Sequence, residues 1–131
     1  MKKIIHSDKA PKATGLLSQA VLHDFKFTLE VSGQIGINPQ IGKLVEGGIG
    51  PQTEQTLANI QAVLSNIGWG FENIIKARIY LADMADYQTV NEIYVKKFPS
   101  DPPARIALAV KQLPLGALIE IECTAAGDNI S

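Results

Sequence analysis

A single cysteine, Cys123, leaves no second thiol for an internal disulfide, and nothing in the chain asks for an oxidising compartment. Its alternating neighbours Ile121 and Glu122 suggest an inert thiol packed inside a strand. Histidine is scarce as well, with two residues. His6 and His23 stand far apart, and neither falls in a metal-ligand spacing with Cys123, so no metal is expected. Basic surplus is missing too. Twelve Lys and Arg against thirteen Asp and Glu give a net charge of -1, with no basic stripe for phosphates, so no nucleic-acid partner is expected. Long apolar runs are absent. His6-Ser7-Asp8-Lys9 interrupts the run after Met1-Lys2-Lys3-Ile4-Ile5, no segment reaches transmembrane length, and a cytoplasmic protein is the expectation. The glycine-rich Gly47-Gly48-Ile49-Gly50 lacks the lysine of a phosphate-cradling loop.

What is present is an ordinary globular composition, 46% hydrophobic and 19% charged over 131 residues, enough for one domain spanning 1–131 with its own core. Phe25, Phe27, Leu29 and Val31 alternate with Lys26, Thr28, Glu30 and Ser32, the period of a half-buried strand. A short strand around Ser18–Val21 precedes it, and 33–50 reads as a long loop. Pro51 suits a first helical position, Leu57, Ile60, Leu64 and Ile67 form a helical stripe, and Gly68 suits the C-terminal cap. Ile75, Ala77, Ile79 and Leu81 then alternate as a strand. Asp86 suits the cap of a second helix with the stripe Tyr87, Val90, Tyr94 and Phe98, closed by Pro99, Pro102 and Pro103.

Two strands follow around a turn at Pro114-Leu115-Gly116. In the first, Ile106, Leu108 and Val110 alternate with Arg105, Ala107 and Ala109. In the second, Ile119, Ile121 and Cys123 alternate with Glu120, Glu122 and Thr124. The order β-β-β-α-β-α-β-β predicts an α+β domain, a single layer of mixed sheet with two helices on one face. Two helices cover one side only. Tyr80, and Ala107 and Ala109 beside Arg105, are expected to point away from them, and burial of that face by identical subunits predicts an oligomer.

Arg105 stands on a strand otherwise made of Ile, Ala, Leu and Val, so its charge needs a partner. Two partners are open on residues alone: a substrate carboxylate gripped by the guanidinium fork, or a buried ion pair with Glu120, Glu122 or Glu30. If the last two strands form a hairpin about Leu115, Arg105 lies opposite Ala125 and Glu120 opposite Val110. An offset of about five residues, roughly 17 Å, then keeps Arg105 and Glu120 of one chain apart. They are expected to meet across a subunit interface.

Four stretches in order resemble one family. They are Gly15 with Ser18-Gln19-Ala20-Val21; Val31-Ser32-Gly33-Gln34-Ile35 with Asn38-Pro39 and Gly42-Lys43-Leu44-Val45; Asp83-Met84-Ala85-Asp86-Tyr87 with Val90-Asn91 and Tyr94; and Pro103-Ala104-Arg105 with Leu113-Pro114, Gly116-Ala117 and Ile119-Glu120-Ile121-Glu122. Together they resemble the small imine deaminases of the RidA/YjgF family. The resemblance implies a homotrimer of chorismate-mutase-like subunits (bacillus type) joined through their sheets, with clefts between neighbours. It implies hydrolysis of 2-imino acids, such as those arising from 2-aminoacrylate or 2-aminocrotonate released by pyridoxal-phosphate dehydratases, to 2-keto acids and ammonia, without a cofactor. It makes Arg105 the carboxylate anchor and sets Glu120 near the attacking water, with Glu122 left as an exposed strand carboxylate. Gly33, Leu17, Ala107 and Asn91 would surround the substrate, Gly33 and Ala107 through their backbone.

Two positions depart from the family pattern. Gly15-Leu16-Leu17 stands where relatives have Gly-Pro-Tyr, so a pocket hydroxyl is lost, and Ile106 replaces a serine or small residue after the arginine. Both changes are apolar and bear on substrate size and turnover. A non-catalytic trimer that binds small carboxylates and regulates a partner is the alternative. An RNA-cleaving role, attached by name to some relatives, fits the acidic balance poorly.

Overall fold

The computed structural model describes Met1–Ser131. Strands β1 (Lys2–Ile5) and β2 (Ala20–His23) pair antiparallel as a separate ribbon. The main sheet has four strands: β3 (Phe27–Gln34), β6 (Ile74–Leu81), β7 (Ala104–Ala109) and β8 (Ile119–Gly127), in the order β3-β8-β6-β7. Helices α1 (Ile49–Ser65) and α2 (Tyr87–Val95) cover one face. This is the expected α+β layering, and no helix is long and apolar enough to cross a membrane.

The core lies between that face and the helices. Val31, Ala77, Ile79, Leu81, Ile119, Ile121 and Cys123 meet Leu57, Ile60 and Leu64 of α1 and Val90 and Tyr94 of α2. Both helical stripes therefore pack as their period predicts. Helix α1 begins at Ile49, two residues before Pro51, which still sits in the first turn where its missing N–H leaves nothing unpaired. At the other end Gly68 takes φ +78°, its N–H reaches Ser65 O at 3.0 Å, and Trp69 N–H reaches Leu64 O at 3.0 Å. This is a Schellman closure, and it needs the left-handed conformation that glycine adopts without cost.

Several expectations are corrected. The loop 33–50 contains a small antiparallel pair, β4 (Ile37–Asn38) with β5 (Lys43–Leu44), too short for periodicity to reveal. A register shift between Ile74 and Lys76 puts Ile74, not Ile75, into the core. Asp86 precedes α2 but its side chain makes no cap bond; Asp83 instead accepts from Ala85 N–H at 2.9 Å over the preceding turn. Most consequentially, β7 and β8 are not a hairpin. β6 lies between them, parallel to β7 and antiparallel to β8, because α2 supplies the crossover that a parallel pair requires.

The faces of β7 are also settled. Arg105 pairs with Ala77 and Ala107 with Ile79, so both point towards the helices, contrary to the expected parity. The open face carries Ile106 and Leu108 with Arg78, Tyr80, Glu120 and Glu122.

Cys123 is 1% exposed, and burial pushes its thiol up from 9.0 to about 12. The unfolded thiol ionises first as pH rises, so this contribution to stability is complete below about pH 9 and is lost towards pH 12. Urea midpoints should fall over that window less steeply in Cys123→Ala than in the parent. The native thiol should resist a disulfide reagent at pH 8 until denaturant is added.

Candidate functional site

Arg105 opens the site. It is only 8% exposed, yet it forms no salt bridge with any carboxylate of the chain. Its Nη2 donates to Asn91 Oδ1 at 2.8 Å and to Tyr87 Oη at 3.2 Å. The guanidinium carbon lies 4.9 Å from the Tyr94 ring centroid and 5.7 Å from that of Tyr87, within cation–π range. Tyr87, Asn91 and Tyr94 follow the i, i+4, i+7 spacing of one face of α2, so one helix face fixes the cation. Nε and Nη1 are buried without any partner. A buried donor left unmade costs about 1–3 kcal/mol, more when charged, so these N–H groups call for an acceptor that the chain does not supply.

The ion-pair reading of Arg105 fails for a topological reason. Glu30, Glu120 and Glu122 lie on the open face. There Glu122 accepts from the Tyr80 hydroxyl at 2.5 Å, and Glu30 accepts from Thr124 Oγ1 at 2.6 Å while Arg78 Nη1 donates to the same Thr124 oxygen at 3.4 Å. The bond to Glu122, helped by burial, raises the Tyr80 phenol above its ordinary value. Burial raises the phenol of Tyr94 as well, so it stays protonated beneath Arg105.

The expected site residues fall into two groups. Asn91 touches Arg105, and Ala107 lies two residues along on the same face. Leu17 is half-buried near the start of β7, because Ser18 N–H binds Pro103 O at 3.2 Å and Ser18 Oγ donates to Pro102 O at 2.5 Å. Glu120 and Gly33 form the second group: a Cβ added at Gly33 would collide with the Glu120 carboxylate, 2.8 Å from its Cδ. Gly33 also borders a groove of about 420 Å³ against α1, with Gln34, Ile35, Ile37 and Asn59 among its walls.

The two groups do not meet in one chain. Arg105 is in register with Ala77 and Glu120 with Tyr80, on opposite faces and two strands apart, which places their Cα atoms roughly 14 Å from each other. The separation expected from a hairpin is therefore real, but its cause is the intervening strand and the opposite faces. Ile106 is 45% exposed on the open face, away from the guanidinium. Ser18, Tyr87 and Tyr94 were not expected at the site. Asn91, a polar residue at helical spacing from Tyr87, was the signal in sequence that this helix face holds something charged.

The family profile described as Endoribonuclease L-PSP matches residues 7–127. The rat protein named 2-iminobutanoate/2-iminopropanoate deaminase is 46% identical over 125 residues, covering 95% of this chain and 90% of its own. A Yersinia pestis protein of the conserved Rid family, YyfB, superposes with a TM-score of 0.87 at 29% identity, covering 95% of this chain and 98% of its own. E. coli TdcF, solved with bound serine, gives a TM-score of 0.73 at 31% identity over 95% of this chain and 98% of its own. On the extent of these matches and the shared fold, the chain belongs to the RidA family, the family of the Endoribonuclease L-PSP profile.

Proposed function

We propose that the chain is a hydrolytic deaminase that converts 2-imino acids to 2-keto acids and ammonia, with Arg105 holding the substrate carboxylate. The carrying observation is the pair of buried Arg105 N–H groups, Nε and Nη1, that no atom of the chain satisfies. A carboxylate is anionic and accepts charge-assisted bonds from guanidinium N–H groups such as that of Nη1. The name of the rat relative and the serine held by TdcF, itself a carboxylate, support the same reading.

The reaction needs little beyond orientation. Water adds to the imine carbon, the carbinolamine forms, and its C–N bond breaks to leave the keto acid and ammonia. Glu120 passes one proton of the attacking water to the imine nitrogen, giving the carbinolamine, and then passes the carbinolamine hydroxyl proton to the same nitrogen as its C–N bond breaks, so both water protons end on ammonia and no net proton is consumed. Glu120 reaches Arg105 in a homotrimer, where the open face of one subunit lies beside the β7 edge of its neighbour. The apolar open-face residues Ile106 and Leu108 favour burial of that face by another copy. Gly33 and Ala107 contribute backbone, Asn91 steadies Arg105, and Leu17 walls the pocket with an apolar side chain.

The test generates 2-imino acids in situ with an amino-acid oxidase and traps the surviving imine with semicarbazide. Less trapped imine in the presence of the protein, and no protection by Arg105→Ala, is the expected result. Equal trapping with and without the parent protein rejects the deaminase. Keto-acid binding with no turnover points instead to the non-catalytic carboxylate-binding trimer.

A further inference from the structure

Tyr87 belongs to the helical stripe of α2, and its packing against the core explains the ring but not the hydroxyl. That hydroxyl accepts an N–H from Arg105 Nη2 at 3.2 Å. An oxygen that accepts from the guanidinium directs its own hydrogen elsewhere, and no acceptor in the chain takes it. Tyr87 is half-buried whereas Arg105 is buried, so the Tyr87 side chain keeps partial access to the surface beside the cation. Three donors therefore have no acceptor in the chain: Arg105 Nε, Arg105 Nη1 and the Tyr87 O–H.

We infer that Tyr87 is a substrate-binding residue whose hydroxyl donates to one oxygen of the carboxylate held by Arg105. This rests on the reading of Arg105 as the carboxylate anchor. Three properties support it. A phenol already accepting from a cation is polarised and becomes the stronger donor. A carboxylate offers about four lone-pair sites, so it accommodates a hydroxyl beside the guanidinium N–H groups. One cation with neutral donors also matches a monoanion, and the site suits a monocarboxylate better than a phosphate dianion. Asn91 on the next turn keeps the guanidinium in place at 2.8 Å when Tyr87 turns its proton to the ligand.

The experiment compares the parent, Tyr87→Phe and Arg105→Ala by calorimetric titration with 2-ketobutyrate, alongside steady-state kinetics. Phenylalanine keeps the ring over the guanidinium and removes only the hydroxyl. The expected result is a 2-ketobutyrate Kd weakened about 10- to 100-fold in Tyr87→Phe, the loss of one charge-assisted bond. KM should rise by a similar factor while kcat changes less than about threefold, since the bond is shared by ground and transition states. A merely structural role would not separate KM from kcat in this way.

The neutral amide 2-oxobutanamide provides a second measurement on the parent alone. It should bind at least about 10-fold more weakly than the acid. Unchanged 2-ketobutyrate affinity in Tyr87→Phe, with binding lost in Arg105→Ala, overturns the role of Tyr87 and leaves the anchor standing. Unchanged affinity in Arg105→Ala, or equal binding of amide and acid by the parent, overturns both.

Discussion

Arg105→Ala is expected to lower kcat/KM for 2-imino acids by between about 30-fold and a few thousand-fold, the 2–5 kcal/mol that a buried charged partner loses on truncation. The chain should nevertheless remain folded. In the isolated subunit the guanidinium is buried with two donors unmade, so its removal relieves a desolvation cost. The thermal midpoint of the variant should equal or exceed that of the parent. Loss of activity with gain of stability is the signature of a residue kept for its ligand. An arginine kept for the fold would give the opposite pair, a lower midpoint together with residual activity. Arg105→Lys should fall between, because a lysine supplies a point charge without the planar fork and cannot serve Asn91, Tyr87 and a carboxylate together.

The second large effect concerns Glu120 and the glycine against it. Glu120→Gln keeps shape but cannot relay a proton, so kcat should fall by about 100-fold or more while KM stays close to that of the parent. Gly33→Ala should reproduce part of that loss. A new Cβ would meet the Glu120 side chain, 2.8 Å from Cδ and 3.2 Å from Cγ, and a flexible carboxylate yields more readily than backbone. Gly33 does not need a left-handed φ, so the fold should tolerate alanine while the carboxylate swings away. Retained activity in Glu120→Gln would remove Glu120 from the proton relay.

Mixing the two kinds of variant tests the shared site. Arg105 and Glu120 lie on opposite faces of one subunit's sheet. If each site takes Arg105 from one subunit and Glu120 from the next, co-refolded Arg105→Ala and Glu120→Gln chains should recover about a quarter of the parent activity, the share of interfaces with both residues intact. No recovery, in mixed trimers shown to form, would mean that the two residues do not share a site across subunits.

Much of this molecule was legible in its sequence. The stripes of Leu57, Ile60 and Leu64 and of Val90 and Tyr94, and the alternation in β3 and β8, report which surface each element buries, and burial follows hydrophobicity at short range. Gly68 announced its cap because only a left-handed residue closes that helix end. Arg105 stood out as a charge on an apolar strand, and the ordered motifs around it carried the family.

Pairing was not legible. Alternation says that a strand has two faces; it does not say which strand lies beside it, and β6 entered between two strands that look like a hairpin. The same long-range choice turned Arg105 and Ala107 towards the helices and put Glu120 on the other side. It also put Tyr87, 18 residues away in sequence, at the guanidinium. Local spacing thus determined most of the elements and the core, and it marked Arg105 as a charge in need of a partner. The tertiary structure alone decided that Arg105 has no carboxylate partner in its own chain, because that depends on which faces and edges come together across tens of residues.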